Sequence, residues 1–202
     1  TYHPLGRNLV LARSTQFGLA EPFGPLRRVR VLNLQDQEEF RFTRDLPLPE
    51  RFFAGGGNSH RGFGVNQAGP RDLVTGFPVG GNALLINNLE LRFPLLGPNI
   101  GGALFHDTGN VFESAGHISL RMKQRNLTDF NYLVHAVGFG VRYKTPVGPV
   151  RLDLGYSINP PSFFGLTGTR GALLAGKGTR EMRSLSCLLY TSPSPRDRTR
   201  YR

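Results

Sequence analysis

RFFAGGGNSHRGFG, residues 51–64, is too rich in glycine for a helix or a packed strand. Gly55, Gly56 and Gly57 in a row let the backbone adopt positive φ and fold back on itself. Arg61 follows, between His60 and Gly62, with Phe63 next. One cation and one aromatic on so compliant a backbone make a loop tip aimed at a partner. An arginine fork matches a carboxylate in shape and charge, so that partner should be an acid. Glu90 and Asp107 are the candidates, each in a segment that reads as a strand. From the loop alone, a solvated glycine hairpin with its arginine in water stands equally open.

The segments around it alternate. In residues 82–93 (NALLINNLELRF), Leu85, Leu89, Leu91 and Phe93 share a face, with Asn87 the exception. Asn88, Glu90 and Arg92 take the other, with Leu84 and Ile86 nearer one end. Residues 101–112 (GGALFHDTGNVF) put Phe105 and Asp107 together. Residues 131–143 (NYLVHAVGFGVRY) set Leu133, Val137, Phe139, Val141 and Tyr143 against Ala136, Gly138, Gly140 and Arg142. Residues 150–156 (VRLDLGY) set Val150, Leu152, Leu154 and Tyr156 against Arg151, Asp153 and Gly155. Residues 8–18 read as a further strand, and 26–42 as a hairpin or a short helix around 35–40. Residues 113–129 read as a polar connection. A soluble sandwich turns such an apolar face inward; a membrane barrel turns it outward, with charged and small residues in the lumen. The pattern alone leaves both open.

Composition narrows the class. The chain has 202 residues, with 26 Gly, 15 Pro, no Trp and 19% charged residues, which favours a turn-rich β protein. No run approaches the ~18 apolar residues of a membrane helix. The chain starts at Thr1 and enters a strand pattern almost at once, so we take the N-terminus as a cut edge. The net charge of +11 would ordinarily point to nucleic acid. Residues 170–202, however, hold eight Lys or Arg against two Asp or Glu, and no basic helix or stripe accounts for the rest. No nucleic-acid partner is expected.

The tail is anomalous. CLLYTSPSPRD, residues 187–197, resembles the conceptual translation of a transposase mosaic-end sequencing adaptor, residue for residue. Residues 186–202 are therefore read as a non-native, adaptor-derived tail, and 1–185 as the genuine chain. Cys187 lies in that tail and carries no redox argument.

The motifs resemble the BamA/TamA outer-membrane assembly factor superfamily, of bacterial surface antigen type. Phe52-Phe-Ala-Gly-Gly with Ser59-His-Arg-Gly-Phe63 resembles its sixth extracellular loop, where Val or Ile usually precedes Arg-Gly-Phe/Tyr; here His60 stands in that place. Gly80-Gly-Asn-Ala83 then leads to Leu89-Glu-Leu-Arg-Phe-Pro94. Leu104-Phe-His-Asp-Thr-Gly-Asn-Val111 resembles the family's Phe-x-Asp-x-Gly-x-Val segment. Gly138-Phe-Gly-Val-Arg-Tyr143 with Thr145-Pro-Val-Gly-Pro-Val150 resembles its penultimate hairpin. The resemblance covers about residues 8–160.

It implies an all-β fold: a partial antiparallel transmembrane β-barrel, about strands 11–15 of 16, with a long inward-folding loop. The closing strand and the N-terminal POTRA domains would lie outside this chain. It also implies that Arg61, in the Arg61-Gly62-Phe63 motif, meets Asp107 with Glu90 nearby, that Phe63 packs beside them, and that Gly55 and Gly56 shape the loop. The implied function is assembly and insertion of β-barrel proteins in the outer membrane of a diderm bacterium. Its partners would be outer-membrane lipid, unfolded β-barrel clients, and accessory proteins reached through the POTRA domains. No cofactor is implied.

Two rival functions stay in view: an outer-membrane translocator of the two-partner secretion type, and a soluble β-sandwich binding module. An enzyme is not expected, and no catalytic residue is assigned. Gly171-Ala-Leu-Leu-Ala-Gly-Lys177 nearly spells a phosphate loop, but Gly178 stands where Ser or Thr must hold magnesium. His3, His60, His106, His117 and His135 lack metal-ligand spacing, so no metal site is assigned. His106 should face lipid or an interface if Asp107 faces the lumen, as a surface residue and not a ligand.

Overall fold

The structure is a computed structural model that describes residues 1–202 except 7, 24, 26, 33–37, 44–45, 74, 147, 169–177, 185–186 and 194–202. In chain order its strands are β1 (Tyr2–Pro4), β2 (Val10–Leu19), β3 (Arg27–Leu32), β4 (Glu38–Thr43), β5 (Ala83–Leu96), β6 (Ile100–Phe112), β7 (Val134–Thr145), β8 (Gly148–Ser157), β9 (Ser162–Thr167), β10 (Thr179–Ser184) and β11 (Cys187–Pro193). Seven form one antiparallel sheet, ordered β1-β2-β5-β6-β7-β8-β11; β3–β4 and β9–β10 are separate hairpins. Of residues 35–40, where a short helix is the alternative to a hairpin, 38–40 lie in β4 paired with β3, and 35–37 lie outside the described residues. The sheet is open, with β1 and β11 at its edges.

Five long strands, β2 and β5 to β8, carry the architecture. Short turns join β5 to β6 and β7 to β8 at one end, while residues 44–82 and 113–133 make long connections at the other. Outer-membrane barrels have this asymmetry, with short turns on the periplasmic side. Gly97 turns the first hairpin at φ +58°. A bulge between Pro94 and Leu96 breaks the β5–β6 register where proline has no N–H for the ladder. Three residues expected in β7, Asn131 to Leu133, precede it: Leu133 N–H donates to Arg121 O instead.

The polarity is inverted relative to a soluble sheet. Leu104, Val137, Leu152, Leu154 and Tyr156 stand exposed on one face. The opposite face is covered by the loop: Ala54, Phe63 and Ala68 pack against Ile86, Val111, Tyr132 and Val134 in one buried cluster. Glycine makes this covering possible. Gly55 sits at φ +114°, and a Cβ there would fall 2.2 Å from Gly64 O.

β11 lies in the adaptor-like tail and pairs with β8 from Cys187↔Tyr156 to Pro193↔Val150. An open edge bonds any extended segment through backbone groups, so this pairing needs no particular side chains.

The connection after β6 is pinned by Asn110. Its amide donates to Phe130 O and Tyr132 O, both at 2.9 Å, and its Oδ1 accepts from Val111 N–H. Asn110→Ala is expected to lower stability by about 1–3 kcal/mol, because two carbonyls lose their donor inside the fold. The check is the urea midpoint of the intact protein, together with protease sensitivity of residues 113–133. Unchanged values in both would refute the pinning role.

Candidate lumenal site

The inner face presents Glu90 and Arg92 from β5, Asp107 from β6, Arg142 from β7, and Arg151 and Asp153 from β8. Strand alternation put them there; the register decides which ones meet. Asp107 pairs across to Asn88 and Ala136, and Asp153 to Gly140. The loop tip, residues 57–63, lies over four strands. Asn88 Nδ2 donates to Ser59 O at 2.6 Å, and Arg151 Nη2 to Gly57 O at 2.5 Å. Of the three consecutive glycines, Gly55 and Gly56 take positive φ, at 114° and 94°, while Gly57 lies in a turn without it.

Arg61 is 4% exposed, Asp107 and Asp153 0%, and Glu90 8%. The guanidinium grips Asp107 through two parallel bonds, Nε to Oδ2 and Nη2 to Oδ1, each 2.8 Å. The Arg61 backbone N–H adds a third to Oδ2 at 2.9 Å. Nη1 reaches Glu90 Oε2 at 3.1 Å and Asp153 Oδ2 at 3.4 Å. One cation thus links β5, β6 and β8. Burial alone would lower the Arg61 pKa, but its bonds to Asp107 and the charges of Asp107, Glu90 and Asp153 raise it. It stays charged.

The flat side of the guanidinium rests on Phe105, 3.4 Å from the ring centroid. Phe63 does not fill that place; it packs in the buried cluster, its ring edge-on to His60 at 5.0 Å between centroids. Arg92 Nε pairs with Glu90 at 2.8 Å, Arg142 with Glu90 at 3.1 Å and also with Asp153, and Arg151 Nε with Asp153 at 3.2 Å. Asp153, Arg92, Arg142 and Arg151 belong to the network yet were not singled out from sequence. The available signal was their shared face.

Small residues leave room for the loop. A Cβ on Gly155 would lie 2.5 Å from Arg61 O, and one on Gly62 2.6 Å from Ala136 Cβ. Gly138 admits the Phe105 ring, whose Cζ comes within 2.2 Å of where a Cβ would be.

His60 is wholly buried. Its Nδ1 accepts from Gly62 N–H at 3.1 Å, so the proton sits on Nε2, which donates to Val134 O at 3.0 Å. Burial holds its pKa below the ordinary 6.5; Asp107 opposes that shift, while Arg61 and His135 add to it. An undocked His60 therefore binds a proton more readily than a docked one. Docking is unaffected above pH ~6.5 and weakens as pH falls below it. Hydrogen exchange at residues 57–63, corrected for intrinsic rates, should show less protection at pH 5 than at pH 8, and His60→Ile should flatten the difference. Equal protection of the unsubstituted protein at both values would refute this.

Among the described residues no group of three or more His, Cys, Asp or Glu could hold a metal. The phosphate-loop-like run 171–177 lies outside the described residues.

Comparison with known proteins is consistent with the geometry. Residues 1–164 match the Omp85 superfamily domain. The outer membrane protein assembly factor BamA of Nitratidesulfovibrio vulgaris is 31% identical over 120 residues, covering 57% of this chain and 14% of that protein. The same factor from Neorickettsia risticii is 27% identical over 114 residues, covering 55% of this chain and 14% of that protein. The crystal structure of BamA from Haemophilus ducreyi lacking POTRA domains 1-3 matches with a TM-score of 0.53 at 18% identity, over 95% of this chain and 33% of that one. That last likeness is one of fold. The chain spans about one seventh of the length of its curated relatives.

Proposed function

The chain belongs to the Omp85 superfamily, and from that premise we propose that it serves an outer-membrane assembly factor that inserts β-barrel proteins, with Arg61 bracing the barrel wall. It is an outer-membrane β-barrel protein of a diderm bacterium. The supporting observation is the loop arginine held by carboxylates from three separate strands. A wall whose inner face is tied by a buried loop keeps its curvature while an edge elsewhere opens. An incoming strand can then pair with the exposed edge through backbone groups, without nucleotide hydrolysis. Clients would be unfolded β-barrel chains, and accessory proteins would bind through POTRA domains.

The test is reconstitution of the intact protein carrying this sequence into lipid vesicles, with a urea-unfolded β-barrel client added. Faster acquisition of protease-resistant client than in protein-free vesicles is expected. An unchanged rate would remove the assembly reading. Release of one dedicated partner across the membrane, with no client insertion, would favour the two-partner translocator.

A further inference from the structure

The outward face of β2 and β5 to β8 is largely apolar, and its polar side chains gather mainly in two adjacent rows. Thr15, Asn87, Thr108 and His135 are aligned across four neighbouring strands by the registers Thr15↔Asn87, Asn87↔Thr108 and Thr108↔His135. One step toward the short turns, Arg13 and His106 flank Leu89. These six side chains form a ledge of two hydrogen-bonded triads set side by side. Arg13 Nε and Thr15 Oγ1 both donate to Asn87 Oδ1, at 3.2 and 2.9 Å. The stacked rings of His106 and His135 join through Nε2 and Nδ1 at 3.1 Å, and His135 Nε2 meets Thr108 Oγ1 at 3.3 Å. Among the described residues, Arg13 is the one Lys, Arg, Asp or Glu that the pleat turns outward on these five strands, and it is exposed.

Depth gives the ledge its meaning. Nine residues separate Asn87 from Leu96 at the short-turn end. At about 3.4 Å per residue and a tilt near 40°, that is roughly 23 Å along the membrane normal. The outward apolar band of such barrels is about 25 Å tall. The ledge therefore lies where hydrocarbon meets the outer headgroups, with Phe17 just beyond it at the level of an aromatic girdle. Polar groups placed deeper would be costly; at this level they have something to bind.

We propose that the ledge is a binding site for the phosphate headgroup of an anionic outer-leaflet amphiphile. The chemistry is on the surface. The exposed Arg13 guanidinium uses Nε on Asn87, which leaves both Nη groups for a ligand, and an arginine fork is the preferred partner of phosphate. No outward carboxylate on these strands opposes an anion. The Asn87 Nδ2 donors have no protein partner among the described residues and lie beside that guanidinium. Thr108, His106 and His135 extend the ledge by hydroxyl and imidazole groups for about 10 Å across two strand spacings. Below it Leu91, Leu104 and Phe139 offer an apolar wall along which acyl chains lie. This inference rests on the outer-membrane barrel reading and not on assembly activity.

The test uses the intact protein carrying this sequence in non-ionic detergent, titrated with phosphatidic acid, with diacylglycerol, or with inorganic phosphate, and read by thermal unfolding. Phosphatidic acid should raise the midpoint saturably, and the other two should not. Arg13→Gln should weaken half-saturation about tenfold. His106→Leu should weaken it several-fold, with the midpoint in lipid-free detergent unchanged in both variants. Equal binding by Arg13→Gln and the parent, or equal protection by diacylglycerol, would overturn the proposal. Saturable protection by inorganic phosphate alone would overturn the amphiphile as occupant. Client insertion, measured separately, distinguishes failure here from failure of the assembly reading.

Discussion

Arg61→Ala in the intact protein carrying this sequence is expected to lower stability by about 3–5 kcal/mol, the range for removing one partner of a buried ion pair. The loss falls unevenly on the three acids. Glu90 keeps Arg92 and Arg142, and Asp153 keeps Arg142 and Arg151. Asp107, at 0% exposure, loses both guanidinium bonds and keeps only the one from the residue-61 backbone N–H. The backbone bond can persist only if the loop stays docked. Asp107→Asn placed on top of Arg61→Ala should therefore recover part of the loss, because it removes the unpaired charge; the double-mutant cycle isolates that coupling. Arg61→Lys should be nearly as damaging as alanine, since an ammonium cannot make two parallel bonds to Asp107 and reach Glu90 as well. Urea midpoints in detergent measure the stability, and client insertion in vesicles measures the function. A midpoint within experimental error of the parent's would mean that the network contributes nothing net. A large shift without any change in insertion would confine it to stability.

Gly155→Val is expected to be the most damaging single substitution on β8. A Cβ at this position would come within 2.5 Å of the Arg61 carbonyl oxygen, and backbone cannot rotate away. Either the loop lifts or the strand bends, at about 1–3 kcal/mol for overpacking of this kind. Lifting the loop also breaks Arg61 to Asp153 and Arg151 to Gly57. The combined effect should thus exceed overpacking alone. Gly155→Ala should show the same effect in smaller measure. Gly101→Ala is the control: its Cβ would find its nearest neighbour at 3.5 Å, an ordinary contact, and should be close to neutral. Hydrogen exchange across residues 57–63 reads the undocking directly. Unaltered protection of those amides in Gly155→Val would show that the loop does not depend on this close approach.

How far the site could be read from sequence follows from what carries each contact. A period of two assigns a face, and it put Glu90, Asp107, Asp153, Arg92, Arg142 and Arg151 together from their spacing. It also placed His106 on the outer side, where it lies. Period cannot say which residues on neighbouring strands are level, because that depends on register, and register here follows hairpin turns and one bulge. Phe105 and not Phe63 lies against the guanidinium for the same reason: Gly138, opposite Phe105 on β7, opens the space for its ring. His60 in place of the usual aliphatic residue was visible as a departure. Its fixed tautomer was not, since it needs Gly62 N–H and Val134 O at the right distances. Of the outward ledge only Asn87, an exception to an apolar face, and His106 were visible; that they lie together with Arg13, Thr15, Thr108 and His135 follows from register.

By itself the sequence determined the inventory: strands with one greasy and one charged-and-small face, and a glycine-rich loop with Arg61 at its tip between them. Local spacing suffices for that, because the pleat forces alternate side chains to opposite sides. Whether the greasy side looks inward or outward is a property of what covers each face, and only tertiary structure decided it. The loop occupies the charged face, filling the trough that Gly138 and Gly155 leave and neutralising its acids through Arg61. The apolar face has no such cover among the described residues, and lipid is the solvent that suits it.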